Sequence, residues 1–459
     1  MPKTKAVATR LAVLTALSLF FIACALAQEA SPIASKLDEY LRAAAKQDFT
    51  GSALVARDGK VIFSKGYGMA NAEWDVPNTP QTKFRLGSIT KQFTAASILL
   101  LQERGKLSVK DPICKYIAEC PKAWEPVTIH HLLTHTSGIP SYTDVKSPEE
   151  FRKLSLTSVT PAGFVDSFKS KPLEFPAGEK MKYDNSGYFM LGYIIEKVSG
   201  QSYEAFLQEN IFTPLKLADT GYDTHDRILK KRATGYSRRN DAIVNSDYLD
   251  MSVPYAAGSL YSTVEDLFAW NEALFSDKLL SAKSREAMMT VDKNNYAYGL
   301  VVSQQHNRKM VSHGGGINGF NTILARFPEE KITIVVLRNA DYGYSSPDKI
   351  SQDLAAIVLG EKYEIPRERV AIKIDPKILD AYVGQYELRP NFIFTMTREG
   401  DSLMTQATGQ PKFELFPESE TKFFLKVVDA QVTFVKDDKG AVTHLILHQG
   451  GDRTAKKIK

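Results

Sequence analysis

The sequence predicts an α+β protein in two units: an antiparallel sheet flanked by helices, then a small all-β unit. Three observations carry this. Residues 83–105, KFRLGSITKQFTAASILLLQERG, read as one helix; from Tyr296 onward the chain turns to alternating or apolar β runs; and residues 377–459 hold short strands and turns with little helix. At 459 residues the chain exceeds one comfortable domain, which agrees with two. Its 43% hydrophobic and 24% charged residues are an ordinary globular composition.

The N-terminus departs from that composition. MPKTKAVATR is a basic start, LAVLTALSLFFIACALA an apolar run, and Ala25-Leu26-Ala27 a small-residue cleavage site before Gln28. Together they predict a secretory signal over residues 1–27 and a periplasmic or secreted mature protein. The run is short for a membrane span, so the mature chain is expected to carry none. Lipid attachment at Cys24 is the minor alternative, with Phe21 a poor fit in its leading position. Loss of Lys3, Lys5 and Arg10 lowers the formal charge from +5 to +2, which leaves no electrostatic case for nucleic acid. Two cysteines then remain, Cys114 and Cys120, either bridged or both free thiols. No metal site or cofactor is expected.

In chain order, residues 31–47 suggest an amphipathic helix. GSALVARDGKVIFSKGYGMAN alternates around Arg57-Asp58-Gly59 as a β-hairpin does. The helix at 83–105 has a broad apolar stripe through Ile89, Phe93, Ala96 and Leu100 and a stop at Gly105. Ser88 and Lys91 lie at its start, three apart and on one face, near enough for an amine to take a proton from a hydroxyl. Burial and the helix dipole both push that ammonium toward its neutral form, and the dipole with the Ser88 N–H favours an oxyanion beside the serine. Alone, S-x-x-K is a weak signal, since a helix-start serine is commonly only a cap.

TIHHLLTHTSGIPSY reads as a helix ending at Thr136-Ser137-Gly138. His131 and His135 stand four apart on it, a metal-compatible spacing that structural histidines explain better. Residues 149–171 read as further helix. Tyr183-Asp184-Asn185 falls in a loop before a helix running from about Gly187 to Val198; taken alone it is a turn with an asparagine cap. Ser262 or Thr263 caps the helix after AAGSLY. AYGLVVSQQ, KMVSHGGGINGFNTILARF and ITIVVLRNA are β runs suited to adjacent antiparallel strands, closed by a helix at QDLAAIVLG. The glycines 314–316 at a strand end allow close backbone approach, whether of a ligand or at a tight turn.

GSITKQF at 87–93, YDN at 183–185 and HGGG at 313–316, in that order and context, resemble the serine hydrolases of the class C β-lactamase and DD-peptidase family, which includes D-aminopeptidases and related esterases. IHHLLTHTSGIPSY, FPAGEKMKYDNSGYFMLGYIIEKVSG and AGSLYSTVEDL resemble its connecting segments. The tail, with YVGQYEL and VDAQVTFVKDDKGAVTHLILHQGG, is similar to a lipocalin-like β domain fused to such hydrolases. The resemblance implies a β-lactamase/transpeptidase-like domain at 31–362, a linker at 363–376 and a small β-barrel at 377–459. It implies Ser88 as the acylated nucleophile, Lys91 as the residue that helps deprotonate it, and Tyr183 as a second base whose phenol is partly ionised by the lysine. Asn185 would hold the substrate's acyl arm and steady Lys91; His313, Gly315 and Gly316 would bind substrate and complete the oxyanion hole. His313 and Gly314 stand where lactamases carry K-T, which weakens the grip on a substrate carboxylate and favours esters or short D-amino-acid peptides over β-lactams. The implied substrate is a small molecule or peptide; a catalytically weak penicillin-binding or wall-binding module is the competing reading.

Overall fold

A computed structural model describes residues 31–459 except 240–241, 344, 368, 428–429 and 450–451; the predicted signal segment and Cys24 lie outside the described residues. In chain order the elements that position the site are α1 (Pro32–Ala45), β1 (Gly51–Arg57), β2 (Lys60–Tyr67), α2 (Thr90–Glu103), α3 (Asn185–Ser199) and α4 (Val264–Leu274). They continue with β3 (Val301–Gln305), β4 (Arg308–Ile317), β5 (Phe320–Phe327), β6 (Ile332–Arg338) and α5 (Pro347–Leu359).

The six strands form one antiparallel sheet in the order β3-β4-β5-β6-β1-β2, as the alternating runs and the hairpin predict. Strand β6 is buried along its whole length because helices cover both faces. Its residues divide with period two: Ile332, Ile334 and Val336 pack with α1 and α5, while Val335 and Leu337 join the larger cluster around α2, α3 and α4. Helix α1 enters through Ser31, whose Oγ accepts the Ala34 N–H at 3.2 Å, with Pro32 in the first turn, and it buries Leu37, Tyr40, Leu41 and Ala44.

Helix α2 differs from the expected striped helix. Every residue from Thr90 to Leu101 is buried, so it has no solvent face. Its polar residues are absorbed individually: the Trp270 indole N–H of α4 donates to Gln92 Oε1 at 2.9 Å, and the same indole stacks on Phe93 at 3.9 Å. Ser88 lies just outside the helix, in the 3₁₀ turn Gly87–Ile89 that leads into it.

The expected helix over 149–171 is two helices, Pro148–Ser155 and Pro161–Phe168, each with its own Ser147 or Thr160 cap and a proline in its first turn. The short helix at Ile129–Leu133 stops before His135, which sits at φ 57°, so His131 and His135 share no helix face. His131 accepts the Thr128 N–H as part of that helix's cap. Cys114 and Cys120 are disulfide-bonded.

After α5 the described residues build a closed barrel of eight antiparallel strands, β7 (Gly384–Arg389) to β14 (Asp452–Lys457), each paired with the next and β7 closing on β14 through Tyr386 and Lys457. The turns at 398–401 and 436–440 fall between strands as expected. Tyr382, Tyr386, Phe423 and Phe434 fill the interior, which is a packed core.

Candidate active site

The site begins where β4 presses against the segment before α2. Leu86 donates its N–H to the Leu260 carbonyl at 2.8 Å, and its own carbonyl accepts from Thr322 Oγ1 at 2.8 Å, which ties it to the neighbouring strands. The fit at β4 requires glycine. A Cβ at residue 315 would lie 1.9 Å from the Leu86 carbonyl oxygen, and one at residue 87, where φ is 55°, would lie 3.0 Å from Gly316 N. The turn bearing Ser88 is therefore held against the backbone of Gly316.

Lys91, in the first turn of α2, is fully buried. Its Nζ donates to Ser88 Oγ at 3.0 Å, Asn185 Oδ1 at 2.8 Å and the Ala257 carbonyl at 2.9 Å, which uses all three of its donors. Burial pulls the ammonium down to about 7, with Asp184 nearby opposing the shift. Those three bonds are the ammonium's; on losing its proton near neutrality the amine keeps two N–H for Asn185 and Ala257 and turns its lone pair to the Ser88 hydroxyl, from which it can accept a proton.

The YDN stretch does more than cap. Asp184, not Asn185, is the cap of α3, its Oδ1 accepting the Gly187 N–H at 2.5 Å. Asn185 is thereby free to face inward, its Nδ2 donating to Thr143 Oγ1 at 3.1 Å while its oxygen holds Lys91 and its N–H is held by Ser141 Oγ at 3.0 Å. The Tyr183 ring centroid is 4.9 Å from Lys91 Nζ, and its hydroxyl is a hydrogen-bonding neighbour of Ser88. Although 38% of the Tyr183 surface is exposed, the hydroxyl end is enclosed, and burial pushes the phenol well above its usual range. This corrects the partly ionised phenol that the resemblance implies: with the nearby amine itself close to neutral, no fixed cation is present to hold a phenolate.

His313 is 5% exposed and lies outside the cleft wall. Positions 313 and 315 share one face of β4, and Gly315 shows that this face is pressed into the interior. His313 Nδ1–H donates to the Gly314 carbonyl at 2.6 Å, and its Nε2 accepts from the Tyr296 hydroxyl at 2.9 Å. Burial and Lys91 pull the imidazole down to about 3. It is a neutral strut under β4, where the sequence placed a substrate contact.

Ser88, Asn185 and Gly316 open onto a cleft of about 430 Å³. Lys91, Tyr183, His313 and Gly315 stand outside its lining, with Lys91 hydrogen-bonded to Ser88. Sequence reasoning missed Ser141, Thr143, the Ala257 carbonyl and Tyr296. Ser141 lies near the end of IHHLLTHTSGIPSY and Thr143 just after it, far along the chain from the YDN loop, so neither carried a local signal, and a backbone carbonyl leaves none. Among the described residues no group of three His, Cys, Asp or Glu side chains is placed to hold a metal ion.

A family model described as Beta-lactamase matches residues 37–357. The chain belongs to the β-lactamase family. Residues 368–457, which include the barrel, match a domain of unknown function, DUF3471. Over 441 residues this β-lactamase-family chain is 31% identical to Penicillin-binding protein 4* of Bacillus subtilis (strain 168), an alignment covering 90% of this chain and 96% of the relative. The octameric penicillin-binding protein homologue from Pyrococcus abyssi superposes with a TM-score of 0.66 at 29% identity, covering 92% of this chain and 99% of that one. A D-stereospecific amidohydrolase from Streptomyces sp. gives a TM-score of 0.60 at 26% identity over 72% of this chain and 99% of its own. No helix among the described residues is long and apolar enough to cross a membrane.

Proposed function

We propose that this protein is an exported serine acyl hydrolase that cleaves amide or ester bonds, those of short D-amino-acid peptides in particular, through an acyl-enzyme on Ser88. One observation carries the reading: a fully buried amine, pulled down to about 7, lies 3.0 Å from the hydroxyl of Ser88, whose turn is pressed through Gly87 against the Gly316 backbone. The likeness to a D-stereospecific amidohydrolase supports the amide and the D-configuration.

In this mechanism Lys91 takes the Ser88 proton as Oγ bonds to the substrate carbonyl carbon. The carbonyl oxygen, now negative, lies against the N–H groups of Ser88 and Gly316, each such donor being worth about 10²–10³ in turnover. Tyr183, protonated in the free enzyme, gives its proton to the leaving nitrogen or oxygen as that bond breaks, and the Lys91 ammonium reprotonates it. Water then repeats the sequence on the acyl-enzyme and releases the acid. Asn185 holds Lys91 in place and presents its amide to the acyl arm. The domain limits of 31–362 and 377–459 belong to the same proposal, with catalysis assigned to the first.

A fluorophosphonate or fluorescent penicillin tests the nucleophile directly. Wild type should carry the label on Ser88 and Ser88→Ala should take none; an unlabelled wild type that binds penicillin reversibly would instead make the protein a binding module. Export predicts that protein recovered from outside the cytoplasm begins at Gln28, and a retained Met1 would refute it.

A further inference from the structure

The charge around the cleft is one-sided. Among the described residues that line it, Asp341 alone carries a formal charge, while Tyr142, Phe151, Leu249, Val253 and Ile317 supply apolar wall. No cation faces a substrate there. Lys91 is buried behind Ser88 with all three donors used, and His313, which would stand in for a carboxylate-gripping cation, is buried, neutral and bonded within the protein.

Asp341 follows β6 and meets the tip of the hairpin between β4 and β5, on the side of the cleft that continues β4 beyond Gly316. Its Oδ2 accepts from Ser237 Oγ at 2.6 Å and from the Gly319 N–H at 3.0 Å, which fixes the carboxylate. Among the described residues no further hydrogen bond or ion pair reaches it, so Oδ1 is left for solvent or a ligand. Arg338, the cation that feels its charge, directs its donors to the carbonyls of Ser345, Tyr342 and Asp48.

Resting on the acyl-hydrolase reading above, we infer that Asp341 is a specificity-determining residue that recognises an ammonium group on the acyl side of the substrate. The substrate class is an amino-acyl amide or ester with a free amine and an apolar side chain. A carboxylate in a cleft whose described lining holds no cation attracts an ammonium and repels a substrate carboxylate, and the apolar wall covers the side chain. Substrates recognised through a C-terminal carboxylate are disfavoured by the same arrangement.

The test separates this inference from the reading beneath it. In the Ser88→Ala protein at pH 7 and low salt, D-phenylalanine amide should bind about threefold to fivefold more tightly than its N-acetyl form, the upper end of what one solvent-exposed charge pair contributes. Asp341→Asn keeps an oxygen to accept from Ser237 and Gly319 and removes the charge, and it should bring that ratio to about one, with an unchanged circular dichroism spectrum confirming the fold. A ratio near one before the substitution, or the same preference surviving it, overturns the inference. Wild type that labels on Ser88 and cleaves neutral esters without preferring free amines leaves the hydrolase standing and removes the amine site. An unlabelled protein whose Asp341-dependent preference persists does the reverse.

Discussion

Replacing Lys91 by methionine removes the amine while keeping a chain of similar length, and its consequences can be worked from the burial of Nζ. A fall from 10.5 in the unfolded chain to about 7 in the folded one corresponds, at ~1.36 kcal/mol per pH unit, to about 5 kcal/mol. The sign follows from proton counting. Between pH 7 and 10.5 the unfolded chain binds the Lys91 proton and the folded chain does not, so this residue makes stability rise with pH across that window. Below pH 7 both states are protonated and the full penalty of burying the ammonium is present. Methionine lacks this dependence, but it orphans Asn185 Oδ1 and the Ala257 carbonyl, at about 1–3 kcal/mol each, a cost that does not vary with pH. The difference in unfolding free energy, wild type minus Lys91→Met, should therefore climb by up to ~1.36 kcal/mol per pH unit above pH 7. Urea unfolding of both proteins at pH 6.5, 7.5, 8.5 and 9.5 measures it, and taking the difference cancels every other titrating group. Acylation should fall at least about 10³-fold in the variant, and the wild-type kcat/KM should show an acid limb with its midpoint near 7. A flat or falling difference would mean that Lys91 is charged in the folded protein and is not the base.

Tyr183→Phe keeps the ring over Lys91 and removes the proton donor, so amide hydrolysis should drop about 10²–10⁴-fold, with a much smaller loss for p-nitrophenyl esters, whose leaving group needs no proton; equal losses would take Tyr183 out of that role. Gly315→Ala places a methyl 1.9 Å from the Leu86 carbonyl and must push β4 off the Ser88 turn, which should lower kcat by at least about 10²-fold through the oxyanion donors, together with a lower Tm. His313→Asn should reduce kcat by loosening β4 while leaving the acid limb near 7, since the buried imidazole does not titrate there; disappearance of that limb would make His313 the base. Reducing Cys114–Cys120, which are six residues apart, should lower stability by about 2 kcal/mol through the reopened loop without changing kcat, as followed by urea unfolding with and without reductant.

What could be read from the sequence was what depends on neighbours along the chain. The Ser88–Lys91 spacing sets a helical geometry, and the 3.0 Å contact follows from it. The sheet strands announced themselves by period two, and the barrel turns by their Gly and Asp residues. The misreadings have one source, which is tertiary burial. The apolar stripe on α2 marked one buried face, and the polar Gln92, Thr94 and Ser97 off that stripe are buried as well, each satisfied by another element or by its own backbone. Asn185 looked like a cap because it precedes an apolar run, and Asp184 beside it performs that task. Ser141, Thr143 and Ala257 carry no local mark of their role, since each reaches the site only when distant segments are packed together.

His313 shows how a local rule already in hand can reverse a motif reading. A strand alternates its faces, so a histidine two residues before Gly315 must point where Gly315 points, and the clash of any Cβ there with Leu86 means that this is inward. An imidazole forced inward among Tyr296, Tyr183 and Lys91 cannot hold a charge. With that charge gone, the buried amine of Lys91 is the group hydrogen-bonded to Ser88 that is pulled down to about 7, and among the described residues lining the cleft Asp341 alone carries a formal charge. On the proposed reading, proton transfer runs behind the nucleophile through Lys91, outside the cleft lining, and the recognition charge is Asp341, tied to the hairpin beyond Gly316.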